Sequence, residues 1–228
     1  MNSNLKITIL MPAYNENHRL TDLLKKIRKM TAVMDVVVVD DGSLIPVKSK
    51  TIPKITVLRH EINLGKGAAM KTGAEFAFSH NAEAVIFMDS DGQHDPQELV
   101  KFINKLNEGY DIVFGSRRPS LDTPLVRLVG NKFASAYMNL VFGVFIKDIL
   151  SGYRGLTYRA YKQLKWESSK YGVETEMIAR LGRHPHSLRY IELPIETIYI
   201  DKYKGVTVID ALKILINSIW WKLSWAFK

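Results

Sequence analysis

Two short acidic segments place paired carboxylates directly after an apolar run. Val36–Val39 leads into Asp40 and Asp41, and a second apolar run leads into Asp89 and Asp91. A carboxylate is costly to bury unless hydrogen-bond donors or a cation meet it. We expect Asp40 and Asp41 to accept hydrogen bonds from a base N–H and a ribose hydroxyl, although an Asp-Gly-Ser turn by itself also explains them.

The second acidic segment, residues 89–93, predicts a metal site. An EF-hand loop needs glycine at position six and glutamate at position twelve. This segment has glycine at position four and Val100 at position twelve, so an EF-hand is excluded. A turn at Gly92 would let Asp89, Asp91 and Gln93 reach one cation. Mg²⁺ or Mn²⁺ is commonly held by one or two carboxylates together with substrate phosphates. The neighbouring His94 is either a further ligand or a loop residue, and we favour the loop residue.

Basic side chains follow other predicted strands and suit an anionic ligand. Residues 63–67 read Asn-Leu-Gly-Lys-Gly, a flexible basic loop that matches neither the Walker A motif nor the dinucleotide fingerprint. Arg117 follows a strand, and residues 151–154 read Ser-Gly-Tyr-Arg. Arginine side chains suit phosphate oxygens, with solvation at the surface as the alternative. Glu174 and Glu176 lie at a predicted helix start, where acidic residues are favoured in any case.

The elements that must position these residues alternate between strands and helices. Leucine and isoleucine at positions 20, 23, 24 and 27 lie on one helix face, and Val36–Val39 predicts a strand buried on both sides. The alternation predicts an α/β fold with a mainly parallel central sheet and helices on both faces. Ligands bind such sheets beyond the carboxyl ends of the strands. The predicted strands are 5–11, 36–39, 55–58, 84–88 and 112–114, and the predicted helices include 68–78 and 97–106.

The second half of the chain is less regular. We predict helices over 124–142 and 172–183, a loop over 147–157, and two late strands, 188–193 and 195–200, divided by Pro194. No linker interrupts the chain, so we predict one domain over residues 1–208 and a terminal amphipathic helix over 209–228.

Composition narrows the class of protein. The 228 residues are 46% hydrophobic and 24% charged, which are values of a globular protein. Without cysteine, disulfides and thiolate metal sites are excluded. The net charge of +9 favours anionic partners. We find no signal-peptide pattern at the amino terminus and expect a cytoplasmic protein.

Six motifs in order make the chain resemble a known family. Its sequence runs PAYNE (residues 12–16), VDDGS (39–43), NLGKG (63–67), DSDGQ (89–93), GSR (115–117) and SGYR (151–154). This order is similar to that of family-two inverting glycosyltransferases of the GT-A fold, a Rossmann-like, nucleotide-sugar-binding fold. More narrowly, it resembles dolichol-phosphate mannosyltransferases and related polyprenyl-phosphate hexosyltransferases. The resemblance spans about residues 5–200.

The resemblance implies a role for each motif. A nucleotide sugar would contact the residues Pro12, Tyr14, Glu16, Asp40, Asp41, Lys66, Asp89, Ser90, Asp91, Gln93 and Lys204. Asp89, Asp91 and Gln93 would meet Mg²⁺ or Mn²⁺ and the donor diphosphate, whereas Arg117, Ser151 and Arg154 would bind the acceptor phosphate. Asp91 and Arg117 are the predicted catalytic residues. Relatives carry a lysine where this chain has Val208, so Lys202 or Lys204 would have to supply that charge.

The carboxyl-terminal residues predict a helix that lies on a membrane surface. Residues 212, 215, 216, 219, 223 and 227 form one broad apolar face, and Ile214, Trp221 and Trp225 form a second stripe. Tryptophan with flanking lysine is typical of interfacial helices. A docked terminal helix or an oligomer contact is the alternative. Residues 124–146 are a second candidate for lipid contact.

These observations predict an inverting, metal-dependent transfer of a hexose from a nucleotide sugar to a polyprenyl or dolichyl phosphate at the cytoplasmic membrane face. Mannose from GDP-mannose is the favoured donor, with UDP-glucose or another UDP-sugar as the alternative. An acceptor that is a sugar hydroxyl needs a general base, whereas a lipid phosphate is already anionic. A basic protein that binds nucleic acid or membrane is the hypothesis from another class, but clustered carboxylates would repel nucleic-acid phosphate.

Overall fold

Seven strands form one mainly parallel sheet with helices on both faces, as predicted. A computed structural model describes residues 4–31, 34–48, 53–119, 125–170, 172–184, 187–196, 198 and 208–226. The strand order is β3-β2-β1-β4-β6-β5-β7, and only β6 runs antiparallel to its neighbours within this described sheet. The strands are β1 (Ile7–Ala13), β2 (Asp35–Asp41), β3 (Ile55–His60), β4 (Ala84–Phe87), β5 (Ile112–Arg117), β6 (Arg154–Thr157) and β7 (Tyr190–Ile195).

Apolar side chains of successive strand residues point to opposite faces, so each face of the sheet carries its own hydrophobic core. The helices are α1 (Asn17–Met30), α2 (Lys66–Ser79), α3 (Leu99–Asn107), α4 (Leu125–Phe142), α5 (Tyr158–Leu164), α6 (Val173–Leu181) and α7 (Val208–Ala226). Helices α1 and α3 pack on one face, and α2, α4, α5 and α6 pack on the other. All four residues of Val36–Val39 are buried, as expected of a strand covered on both sides.

The prediction of a loop over residues 147–157 was wrong at its end. Residues Arg154–Thr157 form β6, which lies between β4 and β5 in the middle of the sheet. Its sequence, Arg-Gly-Leu-Thr, contains one apolar residue and no alternation, so hydrophobic periodicity cannot reveal it. The strand ends the loop that carries Ser151 and thereby fixes that loop at the edge of the sheet where the motifs gather.

The prediction of two late strands divided by Pro194 was also wrong. One strand, β7, runs through Pro194, which lies beside Ser116 in a parallel pair with β5. Proline cannot donate to a ladder, but β7 is an edge strand and its free side tolerates proline. Of the predicted strand 195–200, only residues 195, 196 and 198 belong to the described part of the chain.

Candidate functional site

Asp40 at the carboxyl end of β2 is buried and anchors a loop of its own chain. Its Oδ1 accepts from the Ser43 amide at 3.0 Å, and its Oδ2 accepts from the Val47 amide at 3.0 Å and from the Arg59 guanidinium. Burial alone would raise the pKa of Asp40, but these hydrogen bonds outweigh it and lower the pKa. We expected a nucleoside to supply the hydrogen-bond donors for this carboxylate, but in this structure Ser43, Val47 and Arg59 of the chain itself supply them.

Asp41 fixes the next loop in the same way. Its Oδ1 lies 2.7 Å from His60 Nδ1 and accepts from the Leu64 amide at 3.0 Å, while its Oδ2 accepts from the Gly65 amide at 2.7 Å. The carboxylate is thus the anchor for the loop that leads into α2. Contact of either aspartate with a nucleoside stays a prediction, and the structure shows that both already shape the edge at which a nucleoside would lie.

The glycines of residues 63–67 serve a close approach between two parts of the chain. Gly65 has φ +100°, and a Cβ there would lie 2.5 Å from the Ser169 carbonyl oxygen. A Cβ on Gly67 would overlap the Ser168 carbonyl oxygen. The Ala68 amide at the start of α2 donates to the Ser169 carbonyl at 3.0 Å. The start of this helix therefore packs against residues 168–169, and Lys66 is the group of this loop that points to the acidic segment.

Lys66 joins two carboxylates that are far apart in the sequence. Its Nζ lies 2.7 Å from Asp89 Oδ1 and 2.8 Å from Glu174 Oε1. Burial alone would lower the pKa of Lys66, but the two carboxylates outweigh it and raise the pKa above its ordinary value. Burial alone would likewise raise the pKa of Asp89, but the Lys66 ammonium lowers it to about 2. A Cβ on Gly152 would lie 2.6 Å from both the Lys66 ammonium and an Asp89 oxygen, so the following loop closes directly over this pair.

The acidic segment forms the turn that the sequence predicted. Gly92 has φ +80°, and Asp91 Oδ1 accepts from the Gln93 amide at 3.0 Å. His94 is buried: its Nδ1 accepts from the Asp89 amide at 3.0 Å, and its ring stacks on Tyr153 with centroids 4.8 Å apart. Burial lowers the pKa of His94, although the charges of Asp89 and Asp91 oppose that shift. His94 therefore stabilises the turn through its hydrogen bond to the Asp89 amide, and the sequence did not indicate this role.

Arg117 lies beside this segment and is held by Asp148. Its guanidinium donates to both Asp148 oxygens, at 2.6 and 2.8 Å, and its amide donates at 3.1 Å. Its positive charge contributes to the low pKa of Asp89, so the two side chains share one electrostatic environment. The buried Ser151 hydroxyl in the adjacent loop has no hydrogen-bond partner among the described residues.

Arg154, which the resemblance assigned to the acceptor phosphate, is wholly buried instead. Its guanidinium donates to the carbonyls of Ile149, Ser151 and Glu174 at 2.7 to 2.9 Å. Burial lowers its pKa to about 10 despite nearby carboxylates. Through these contacts Arg154 ties the loop before β6 to α6, and its contact with an acceptor phosphate stays a prediction.

The remaining predicted residues are distributed along the same edge. Tyr14 is exposed, Pro12 is buried near the end of β1, Glu16 is buried in the β1–α1 connection, and Ser90 is buried beside Asp91. Lys202 and Lys204 lie outside the described residues. Sequence reasoning missed the partners Asp148 and Glu174. Glu174 carried only the signal of an acidic helix start, and nothing local in the sequence links Asp148 to Arg117.

Comparison with known proteins identifies a matching family. Glycosyl transferase family 2 matches residues 8–163. The chain is 28% identical, over 95% of its length and 96% of the relative, to the UDP-N-acetylglucosamine–dolichyl-phosphate N-acetylglucosaminyltransferase of Methanococcus voltae. It is 29% identical to the undecaprenyl-phosphate mannosyltransferase of Micrococcus luteus, over 84% of its length and 83% of the relative.

The fold also matches a solved structure. Glucosyl-3-phosphoglycerate synthase from Mycobacterium tuberculosis, in complex with Mn²⁺, UDP and glucosyl-3-phosphoglycerate, superposes with a TM-score of 0.72 at 18% identity. The match covers 96% of this chain and 80% of that one. It confirms the Rossmann-like GT-A fold, and together with the family match over most of the sheet it leads to one conclusion: the chain belongs to glycosyl transferase family 2 and is a glycosyltransferase.

Proposed function

We propose that this enzyme transfers a hexose from a nucleotide sugar to a polyprenyl or dolichyl phosphate, with inversion at the anomeric carbon. The observation that carries the proposal is one edge of the sheet, where Asp89, Asp91, Lys66 and Arg117 gather in a molecule that also exposes an apolar helical face. Both relatives described above are named for polyprenyl-type phosphate acceptors. Mannose from GDP-mannose is the proposed donor. The Methanococcus voltae relative supports a UDP-sugar as the second candidate.

The donor set fits a divalent cation that takes few ligands from the protein. Within the described residues no three His, Cys, Asp or Glu side chains converge into a metal cage. Mg²⁺ and Mn²⁺ sites that share substrate phosphates need only one or two carboxylates. We propose that Asp91, in the turn at Gly92, would ligate the cation directly, with Asp89 and Gln93 beside it. When bound, the cation would act as a Lewis acid on the donor diphosphate.

The chain's own cations would stabilise the charge that grows on the leaving diphosphate. Lys66 is held at the site by Asp89 and Glu174, and Arg117 is held by Asp148, so neither has to reorganise as that charge develops. In the proposed reaction the Ser151 hydroxyl, which is buried without a hydrogen-bond partner among the described residues, would donate to an oxygen of the acceptor phosphate. Residues that are fixed before the reaction favour the transition state without a further ordering cost.

The acidic pair of α6 supports a phosphate acceptor over a sugar hydroxyl. A hydroxyl acceptor needs a general base, but Glu174 is paired with Lys66, and the wholly buried Glu176 accepts from two backbone amides and from Arg180. Neither is available to take a proton without breaking these contacts. A phosphate oxygen needs no such base, because it is anionic at neutral pH.

We further propose that α4 and α7 carry the enzyme on a membrane surface. The two helices lie side by side, with Tyr137 Oη 2.9 Å from Ser218 Oγ and Lys222 Nζ 2.7 Å from the Val141 carbonyl. Trp221 and Trp225 pack inward, whereas Ile216, Ile219 and Leu223 of the broad apolar face are exposed. We call the outward face of both helices the platform; its exposed apolar residues are Val129, Phe133, Leu140, Ile216, Ile219, Trp220 and Leu223. None of the described helices is long and apolar enough to span a bilayer.

A donor panel tests the proposed function. Purified enzyme is incubated with a short polyprenyl phosphate, Mg²⁺ or Mn²⁺, and radiolabelled GDP-mannose, UDP-glucose or UDP-N-acetylglucosamine, and the organic phase is counted. We expect labelled lipid with one donor, lost when the metal is chelated. A sugar acceptor with a free hydroxyl is assayed in parallel, to test the alternative that the enzyme transfers the hexose to a sugar hydroxyl. Absence of organic-phase product with every donor would contradict the proposal.

A further inference from the structure

Glu176 is a wholly buried carboxylate on α6. It accepts from the Glu167 amide at 3.0 Å and from the Ser168 amide at 2.8 Å. Arg180, one turn later on α6, donates to it at 2.6 Å and also reaches the Glu167 carboxylate at 3.2 Å. A buried carboxylate persists only where charge-assisted hydrogen bonds of this kind compensate its desolvation. Glu176 therefore holds residues 167–168 in a fixed position.

The segment that includes these residues, 166–169, packs against the start of α2. Trp166 Nε1 donates to the Gly67 carbonyl at 2.9 Å, and the Ser169 carbonyl accepts from the Ala68 amide at 3.0 Å. The glycines on both sides of Lys66 leave no space for a side chain against Ser168 and Ser169. We call residues 166–169 the clamp. The clamp thus contacts the backbone on either side of Lys66, and Glu176 holds the clamp.

We propose that Glu176, supported by Arg180, is a positioning residue that acts through the clamp to hold Lys66 between Asp89 and Glu174. This inference rests on the proposed function, because it assigns Lys66 a part in sugar transfer. The proposal explains why α6 carries a buried anionic side chain that does not reach the end of the sheet where the motifs gather. A neutral side chain of the same shape could not accept from two amides and an arginine together.

A kinetic double-mutant cycle separates positioning from a merely structural role. Glu176→Gln should lower kcat/KM about tenfold in the wild-type background, as expected for loss of charge-assisted hydrogen bonds. In a Lys66→Met background the same change should cost less than about twofold, because the group that it positions is already gone. Full additivity of the two substitutions would overturn the proposal.

Asp111 supplies the matched control. It is a buried carboxylate that accepts from the Arg189 amide at 2.9 Å, but it lies at the start of β5, away from the clamp. Asp111→Asn should lower stability as Glu176→Gln does, and its kinetic effect should be the same with and without Lys66. Equal coupling of both carboxylates to Lys66 would show general destabilisation and would overturn the proposal.

Amide hydrogen exchange tests the clamp without any turnover. Protection of the Ala68 amide should fall about tenfold in Glu176→Gln and stay at the wild-type level in Asp111→Asn. Unchanged protection at Ala68 in a folded Glu176→Gln protein would overturn the proposal. If no donor supports transfer, the proposed function fails, and this exchange experiment still decides whether Glu176 holds the clamp.

Discussion

At the scale of single residues, similar carboxylates at this sheet edge have different tasks. Asp40 is wholly buried and enclosed by two amides and the Arg59 guanidinium, whereas Asp91 is only half-buried and lies in the turn at Gly92. An enclosed carboxylate stabilises the loops that shape a site, and a carboxylate in an edge turn can meet a ligand. This difference in surroundings leads to separate predictions for the two aspartates.

Asp91→Asn should reduce turnover at least a hundredfold at every Mg²⁺ or Mn²⁺ concentration, because removing a preorganised charge at a site of phosphate chemistry has effects of about that size. Its melting temperature should stay close to that of the wild type. The measurement is kcat over a metal titration, with the melting temperature recorded on the same preparation. Recovery of wild-type turnover at high metal concentration would contradict the assignment.

Asp40→Asn should act on stability, and its effect should depend on pH. Because hydrogen bonds lower the pKa of folded Asp40 below the ordinary 3.8, its contribution to stability is fully present above pH 3.8 and is lost as the pH falls further, through the lower folded pKa. At neutral pH we expect a loss of about 1–3 kcal/mol in the free energy of unfolding. Urea unfolding of both proteins between about pH 5 and pH 2, a range that extends below the ordinary pKa of 3.8, should therefore give a shallower acid slope for the variant. The same dependence of stability on pH in the wild type and in Asp40→Asn would contradict this prediction.

At the scale of elements, the close contact of α2 with the clamp predicts an unequal effect of two glycine substitutions. Gly67→Ala would push a Cβ into the Ser168 carbonyl, whereas Gly130 on α4 has open space around it. We expect Gly67→Ala to separate the clamp from α2, destabilise the protein and lower kcat/KM. Gly130→Ala should be neutral or stabilising by up to about 1 kcal/mol. Thermal melts and kcat/KM of both variants check this, and equal effects would contradict it.

The elements also show where sequence patterns carry information. Apolar runs such as Val36–Val39 and the spaced leucines of α1 predicted the parallel half of the sheet, because burial on both faces leaves a strong signal. Strand β6 has no such signal: its place is fixed by pairing with β4 and β5, and Arg154 in it is stabilised by distant carbonyls. Pro194 misled the prediction because the position of β7 at the edge is a property of the whole sheet.

The same distinction holds for the site. Motifs that follow strands were found because parallel strands bring their carboxyl ends together, as with Asp40, Asp89 and Arg117. Their partners were not found, since Glu174 lies 108 residues from Lys66 and Asp148 lies 31 residues from Arg117 along the chain, and both pairs form only through tertiary packing. The sequence indicated which residues lie at the carboxyl ends of the strands, but not which of them form ion pairs with one another.

At the scale of the whole molecule, the platform is an apolar surface on a basic protein. A net charge of +9 would draw the enzyme to anionic lipid, and exposed side chains such as Leu140 and Trp220 would then enter the headgroup region. The inward Trp225 lies under the guanidinium groups of Arg180 and Arg183, at 5.3 and 5.0 Å, so α7 is held by its other face. Docking would therefore leave the contacts of α7 with α6 intact.

Substitutions on the platform should weaken vesicle binding while leaving the fold unchanged. Leu140→Ser and Trp220→Ser should each lower partitioning onto anionic vesicles about tenfold, since each removes apolar surface worth roughly 1.5–3 kcal/mol when fully buried. Leu44→Ser is the matched control: Leu44 is 88% exposed, comparable to 85% for Leu140, but lies in the loop after β2. Sedimentation with vesicles at low and high salt measures the partitioning, and salt should weaken it. Equal losses for Leu44→Ser and Leu140→Ser would show that adhesion is unspecific and that α4 and α7 are not the docking surface.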